Sequence, residues 1–234
     1  GQFAVLGLPG SAPRSPWSTP EITPSDPDKL IRRSYSITSS SRTREYMEFY
    51  ISMLSNGALT PRLFALKVGD PIWLGPKTSG IFTLDQVPKD KNIAMVATGT
   101  GLAPYISMLT SELQCGGARM FAVLHGAYHS WDLGYRSELQ TMQYLCQNFK
   151  YITTIDKQGE EPVPWTGKTG WVQEIWKSGA VKDAWGFKPT PDNTHVFLCG
   201  VSGMGNAMLE ALNAEGFVEH TKTQPGQIHV ERFV

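Results

Sequence analysis

Arg33-Ser34-Tyr35-Ser36 sets a guanidinium, a phenol ring and a hydroxyl on four consecutive residues. On an extended strand side chains alternate, so Arg33 and Tyr35 share one face while Ser36 takes the other. A planar guanidinium donates two parallel hydrogen bonds to a pyrophosphate. An aromatic ring stacks on a flat conjugated ring such as an isoalloxazine, worth about 0.5–1.5 kcal/mol beyond its burial. A serine hydroxyl donates to a ring nitrogen. As a bare tetrapeptide the string also reads as a half-exposed strand with an Arg–Tyr pair.

Further along, A-T-G-T-G-L-A-P (residues 97–104) reads as a strand, a glycine-rich turn and the start of a helix near Pro104. Gly99 and Gly101 let backbone approach a ligand closely. The string is not G-x-G-x-x-G, and a turn without a ligand reads equally well from it. Cys199-Gly200 ends a strand at the carboxyl edge of a sheet, where α/β ligands bind. A small buried residue at a strand end is the equal alternative. His125 and His129 have the i, i+4 spacing of a metal pair, but Gly126 and the strand-to-loop setting argue against it, and no metal site is expected.

The elements that must position these residues change character along the chain. Residues 33–38 and 46–54 read as strands, the second with Phe49, Ile51 and Met53 on one face and Tyr50 and Ser52 on the other. Residues 60–66 form a short helical piece, with Thr60 as N-cap and Pro61 in the first turn. Residues 72–74 and 81–84 are short strands, and residues 11–29, polar and rich in proline, are an exposed loop. Many short strands between Gly/Pro turns predict an antiparallel β-barrel. After a polar linker at 88–91, strands at 93–97, 120–125, 151–155, 195–199 and 228–233 alternate with helices at 102–113, 133–147, 171–178 and 204–214. That alternation predicts a parallel sheet with helices on both faces. The organisation is therefore two-domain, a barrel over residues 1–88 followed by an α/β domain over 89–234.

The 234 residues suffice for two modest domains. Lysine plus arginine number 21 and so do the acids, which argues against nucleic acid as the main partner. No apolar run approaches about 18 residues, so no membrane span is expected. The N-terminus lacks the basic region and cleavage site of a signal peptide. It also lacks an initiator Met, which points to a fragment or processed chain. Cys115, Cys146 and Cys199 are far apart and contain no C-x-x-C, so reduced thiols in a cytoplasmic protein are expected.

The order of I-R-R-S-Y-S-I-T-S-S, E-F-Y-I-S-M-L, G-A-L-T-P-R-L, K-V-G-D-P-I-W-L, G-I-F-T-L-D, A-T-G-T-G-L-A-P-Y and F-L-C-G-V-S-G-M closely resembles the bacterial-type ferredoxin–NADP reductase family, from Gly1 to Val234. The resemblance implies an FAD-binding antiparallel barrel, a nicotinamide-binding α/β domain and an active site in the cleft between them. It implies that Arg33, beside Ser34, contacts the FAD pyrophosphate, that Tyr35 flanks the flavin and that Ser36 hydrogen-bonds near flavin N5. Tyr50, Ile51, Ser52 and Met53 would line the flavin. Ala58, Leu59 and Thr60 would hold the FAD phosphates. Thr98, Thr100 and Gly200 would meet the nicotinamide end, with Cys199 beside the carbon that gives up hydride. Phe233 would cover the flavin face. Glu231 is open to a proton-relay role or to being an exposed strand carboxylate.

Departures from the family pattern shape the remaining expectations. Ser202 stands where the family commonly has proline, and Val234 where close relatives often have Trp. Tyr128 stands where an arginine for the NADP 2′-phosphate is often found. Lys157 and Lys168 offer point charges instead, while Asp156 would repel a phosphate. NADPH is preferred and NADH remains open. The segment that forms the first two barrel strands in relatives is absent before Gly1, which would leave open sheet edges. The resemblance implies a ferredoxin or flavodoxin as partner, docking on a basic patch of Arg32, Arg33, Arg62 and Lys67, and a monomer. An NADH-dependent reductase component of an oxygenase system, or a non-catalytic remnant without FAD, is the alternative.

Overall fold

The computed structural model describes residues 1–231. The expected flavin cover, Phe233, lies outside the described residues.

In the first half, β1 (Phe3–Pro9) and β2 (Leu30–Ser36) pair antiparallel along their whole length, from Phe3↔Ser36 to Pro9↔Leu30. β3 (Trp73–Leu74) flanks β1 on its other side. Alternation fixes the faces: Ala4, Leu6 and Leu8 are buried, as period 2 requires. Three strands in the order β2-β1-β3 form the expected antiparallel sheet of the first half among the described residues. Two expected strands are absent. Residues 46–54 touch β2's extension through a single bridge, Ile37↔Phe49, and the Leu54 amide is taken by the Thr60 hydroxyl instead of a ladder partner. Residues 81–84 form local turns, with Thr83 N–H donating to Ile81 O, because Phe82 and Leu84 sink into the core of the second half.

The long excursion between β1 and β2 is pinned. Arg62, on α1 (Thr60–Leu63), is 3% exposed. It donates to both carboxylate oxygens of Glu21 at 2.9 and 3.1 Å and to the carbonyls of Ala58 and Gly10. Arg14 adds a bond to Glu21 and one to Gly57 O. The Arg62 hydrogen bonds hold the Glu21 carboxyl at about 2. A buried, paired Arg62 is unavailable for the docking patch in which it was expected. Thr60 is likewise not an N-cap: the helix begins at Thr60 itself, and its hydroxyl exchanges hydrogen bonds with Leu54.

The second half is a six-stranded parallel sheet in the order β7-β6-β5-β4-β8-β9. Its strands are β4 (Asn92–Thr98), β5 (Phe121–Ala127), β6 (Phe149–Ile155), β7 (Lys168–Thr169), β8 (Thr194–Cys199) and β9 (Ile228–Glu231). β4, β5 and β8 read as near-continuous apolar runs because both faces are covered, whereas β7, a Lys-Thr pair at the sheet edge, is exposed. Ile93, Met95 and Ala97 pack with α2 (Ala103–Glu112) and α3 (Arg136–Leu145). Ala94 and Val96 face α4 (Val172–Lys177), α5 (Ala180–Trp185) and α6 (Ser202–Ala214). The chain steps from β4 outward to β7, then returns to β8, which makes the carboxyl ends of β4 and β8 a topological switch point. Among the described residues no helix is long and apolar enough to cross a membrane.

The ends of α2 and α3 lie side by side, so Cys115 and Cys146, with Cα atoms 4.5 Å apart, form a disulfide. The expectation of two reduced thiols is thereby corrected; Cys199 alone is free. The two halves share one core, with Phe82 edge-on to Phe197 at 5.2 Å. A serine seam joins them as well: Ser107 Oγ donates to Ser39 O, and Ser111 Oγ accepts from the Ser41 amide.

Candidate active site where the two halves meet

β2 ends at Ser36, β8 at Cys199 and β9 at Glu231. The Ser36 hydroxyl donates to Glu231 Oε2 at 3.3 Å, and the Cys199 thiol donates to the same oxygen at 3.2 Å. Parallel pairing of β8 with β9 sets Cys199 opposite Glu231. Glu231 is thus half-buried at a junction, not the exposed strand carboxylate that was one of its two readings. Burial pushes its carboxyl pKa upward, opposed by the bonds from Cys199 and Ser36. Burial first, and the Glu231 carboxylate second, push the Cys199 thiol well up, so the sulfur stays a neutral donor.

The floor of this junction is backbone. Thr98 Oγ1 accepts from the Val201 amide at 3.0 Å, tying the turn after β4 to the turn after β8. A Cβ on Gly200, which has φ 148°, would overlap Thr98 Oγ1, and one on Gly101 would overlap the Cys199 carbonyl. These two glycines serve the close approach of one turn to the other. Gly99 differs: it has φ 52° and open space where a Cβ would stand. Thr100 beside it is half-buried. His125, weighed in the sequence only as half of a metal pair, is fully buried on β5. Its Nε2 lies 3.1 Å from the Gly99 carbonyl, its Nδ1 3.0 Å from the Tyr151 hydroxyl. A carbonyl only accepts, so Nε2 carries the proton and Nδ1 accepts from the phenol. Desolvation lowers the His125 pKa to about 4. A neutral imidazole therefore braces the glycine turn.

On the sheet of the first half, Arg33 is exposed, donates to the Arg32 carbonyl and forms no ion pair among the described residues. Tyr35 is half-buried, its phenol pKa raised by that burial; Ser34 is exposed. Ile51 and Met53 are half-buried and Ser52 is exposed. Ala58, Leu59 and Thr60 precede the first complete turn of α1, where amides lack intrahelical acceptors. The Thr38 hydroxyl is buried two residues past Ser36 without a hydrogen-bond partner. A guanidinium without an ion-pair partner among the described residues, leading amides and a half-buried ring fit a dinucleotide with a flat head group. The Thr60 hydroxyl, bound to Leu54, is not free for a phosphate. Tyr50 does not simply line this surface: its hydroxyl reaches across to the Asp132 carbonyl.

Tyr128, Lys157 and Lys168 gather at the carboxyl ends of β5, β6 and β7. The Lys157 amide donates to the Tyr128 carbonyl, and Lys168 pairs with Thr154. The Lys157 ammonium is held by Glu160 at 3.0 Å, and Glu160 also meets His129. Lys168 and Tyr128 are exposed. A cation that sequence reading passed over lies at the same edge: Arg136, in the first turn of α3, stacks on Trp165 with 4.8 Å from guanidinium to ring centre. Its Nε is buried without a partner. Only the fold brings residue 165 to residue 136.

Comparison with known proteins agrees with this two-part fold. Residues 22–79 match the oxidoreductase FAD-binding domain model and residues 95–210 the oxidoreductase NAD-binding domain model. The chain is 30% identical over 214 residues to ferredoxin–NADP reductase B of Sorangium cellulosum, covering 88% of this chain and 80% of that protein. It is 29% identical over 200 residues to a flavodoxin/ferredoxin–NADP reductase of Shigella flexneri, covering 86% of this chain and 73% of that one. A ferredoxin NADP+ reductase from Neisseria gonorrhoeae, solved with bound FAD and NADP, shares the fold with a TM-score of 0.75 at 22% identity, covering 98% of this chain and 85% of that one.

Proposed function

The chain belongs to the ferredoxin reductase-like family of FAD- and NAD(P)-binding oxidoreductases, and on that premise we propose that it moves a hydride between NADPH and FAD and single electrons to or from a ferredoxin or flavodoxin. The observation that carries this reading is the convergence of Ser36 and Cys199 on one oxygen of Glu231. It joins the flavin-side strand to the nucleotide-side strands at a single point.

When bound, FAD supplies a ring that takes up a hydride and gives back electrons one at a time. The protein's share is positioning, which requires reacting atoms about 3–3.5 Å apart. Arg33 and the amides of Ala58, Leu59 and Thr60 hold the pyrophosphate, and Ser34 lies beside them. Tyr35 flanks the ring, and Tyr50, Ile51, Ser52 and Met53 line its surroundings. Thr98, Thr100 and Gly200 shape the nicotinamide floor, with Cys199 as a neutral, uncompetitive neighbour. The resemblance assigns the cover of the ring face to Phe233. Glu231 holds a proton that Ser36 Oγ relays to the ring edge, a task suited to a carboxyl raised by burial. Residues 1–88 and 89–234 are the two working units of a monomer. Arg32, Arg33 and Lys67, all exposed, form the docking patch for an acidic carrier.

For the nucleotide, Lys168 and Arg136 favour a 2′-phosphate, with Tyr128 against the adenine. A second reading, an NADH-dependent reductase of an oxygenase system, is favoured by the Glu160 bond that occupies Lys157. Stopped-flow mixing of the FAD-loaded protein with NADPH and with NADH tests both. Faster bleaching by NADPH supports the first reading and faster bleaching by NADH the second. Protein that cannot be loaded with FAD overturns both.

A further inference from the structure

We propose that Tyr50 and Tyr135 form a two-way clasp between the halves, making both phenols positioning residues that hold the nucleotide-side loop after β5 against the flavin side. The inference rests on the function proposed above for its kinetic consequence, though not for the clasp itself.

The Tyr50 hydroxyl uses its full hydrogen-bonding capacity on the opposite half. It donates to the Asp132 carbonyl at 3.1 Å and accepts from the Gly134 amide at 3.1 Å. Tyr135, on the nucleotide side, packs against the Tyr50 ring, and its phenol pKa is pushed up by burial first and by the nearby Glu48 of the flavin side second. The two rings meet edge to face, with centroids 5.5 Å apart and planes at 81°. Each half therefore inserts one phenol into the other.

The local backbone is adapted to this contact. A Cβ at position 134 would overlap the Tyr50 ring, so glycine stands there to admit it. Tyr135 is the one non-glycine residue with positive φ among the described residues (φ 58°, ψ 16°). A bulky side chain in the left-handed region persists only where its surroundings hold it. Here they are Tyr50, Glu48 and the core beneath both rings. The loop so gripped runs from Tyr128 to Tyr135, and Tyr128 is the residue proposed to meet the adenine. Fixing that loop to the segment carrying Tyr50, Ile51 and Met53 sets the distance between nucleotide and flavin.

Tyr50→Phe, Tyr135→Phe and the double variant keep both rings and remove only hydroxyls. In hydrogen–deuterium exchange of the full chain, the Gly134 amide loses one of its two acceptors in Tyr50→Phe, keeping only the Asp132 carbonyl, and exchange over residues 128–135 should rise severalfold. In the FAD-loaded protein, half-saturation by NADPH should rise three- to tenfold and the limiting rate of flavin reduction should fall, with flavin content retained. The double variant should show less than the product of the single effects, since contacting residues that act together are not additive. Gly134→Ala, which keeps both tyrosine residues but drives a Cβ into the Tyr50 ring, should reproduce the pattern. Unchanged exchange over 128–135 in Tyr50→Phe and Gly134→Ala overturns the clasp, whatever the enzyme does. Raised exchange with unchanged kinetics overturns its positioning role. Failure of parental protein to be reduced by either nucleotide overturns the proposed function and leaves the exchange result to decide the clasp.

Discussion

Cys199 and Glu231 are register partners on adjacent parallel strands, and the thiol donates to the carboxylate at 3.2 Å. The same oxygen receives the Ser36 hydroxyl from the other half. A single carboxyl thus senses the ends of three strands. It lies beside the interlocked glycine turns after β4 and β8, the floor proposed for the nicotinamide.

Replacing Glu231 with glutamine keeps an acceptor for Ser36 and Cys199 but removes the exchangeable carboxyl proton. Loss of a positioned acid or base typically costs about 10²–10⁴-fold. The expected outcome is a drop at the low end of that range in proton-dependent flavin turnover, with a flattened pH–rate profile. A profile superimposable on the parent's would remove Glu231 from the chemistry.

Arg33→Ala should weaken FAD binding without unfolding the sheet, since Arg33 is exposed and makes only a bond to its neighbour's carbonyl. A hydrogen bond to a charged group is worth about 1.5–3 kcal/mol, or roughly 10- to 150-fold in affinity. Titration of the deflavinated protein with FAD, followed by flavin fluorescence, measures it.

Arg136→Ala should raise the half-saturating concentration of NADPH about tenfold while leaving that of NADH nearly unchanged, since a guanidinium recognises the phosphate and not the shared ring. Equal effects on the two nucleotides would assign Arg136 to loop packing on Trp165 instead.

Acid should destabilise the fold before carboxylates are generally lost. His125 titrates at about 4 when folded, against 6.5 unfolded. Below pH 6.5 the unfolded chain gains a proton that the folded chain refuses, so stability falls steadily down to about pH 4. For this buried imidazole that amounts to about 3 kcal/mol. His229, at about 3, acts in the same direction. Glu21, held at about 2 by Arg62, adds stability above its ordinary 4.5 that is lost as pH falls toward 2. Urea unfolding at pH 7 and pH 4.5 should show the fall, and His125→Gln should shrink it.

Reduction of the Cys115–Cys146 bond, which spans a sequence separation of 31, should cost about 2–4 kcal/mol. Calorimetry with and without dithiothreitol should show a lowered Tm.

Much of this was legible in the order of residues. Strand texture announced β2, β4, β5, β6, β8 and β9, because strand faces must alternate or be covered on both sides. The R-S-Y-S string marked the strand whose end meets Glu231, and the glycine pair marked the turn after β4, since few residue types tolerate a close backbone approach. Local pattern failed where partners are distant in sequence. Residues 46–54 alternate like a strand, yet a threonine hydroxyl takes the Leu54 amide. Residues 81–84 also looked like a strand until a second core claimed Phe82 and Leu84. Arg62 looked like a docking cation before Glu21 met it.

What the sequence determined by itself is the alternation of elements and the chemical types at their ends, because both follow from backbone sterics and side-chain spacing within a few residues. Tertiary structure alone decided that Glu231 joins Ser36 and Cys199, that His125 braces Gly99, and that Tyr50 and Tyr135 cross between the halves. Those pairings depend on sheet order and strand register, which arise when the chain closes on itself and buries its apolar faces.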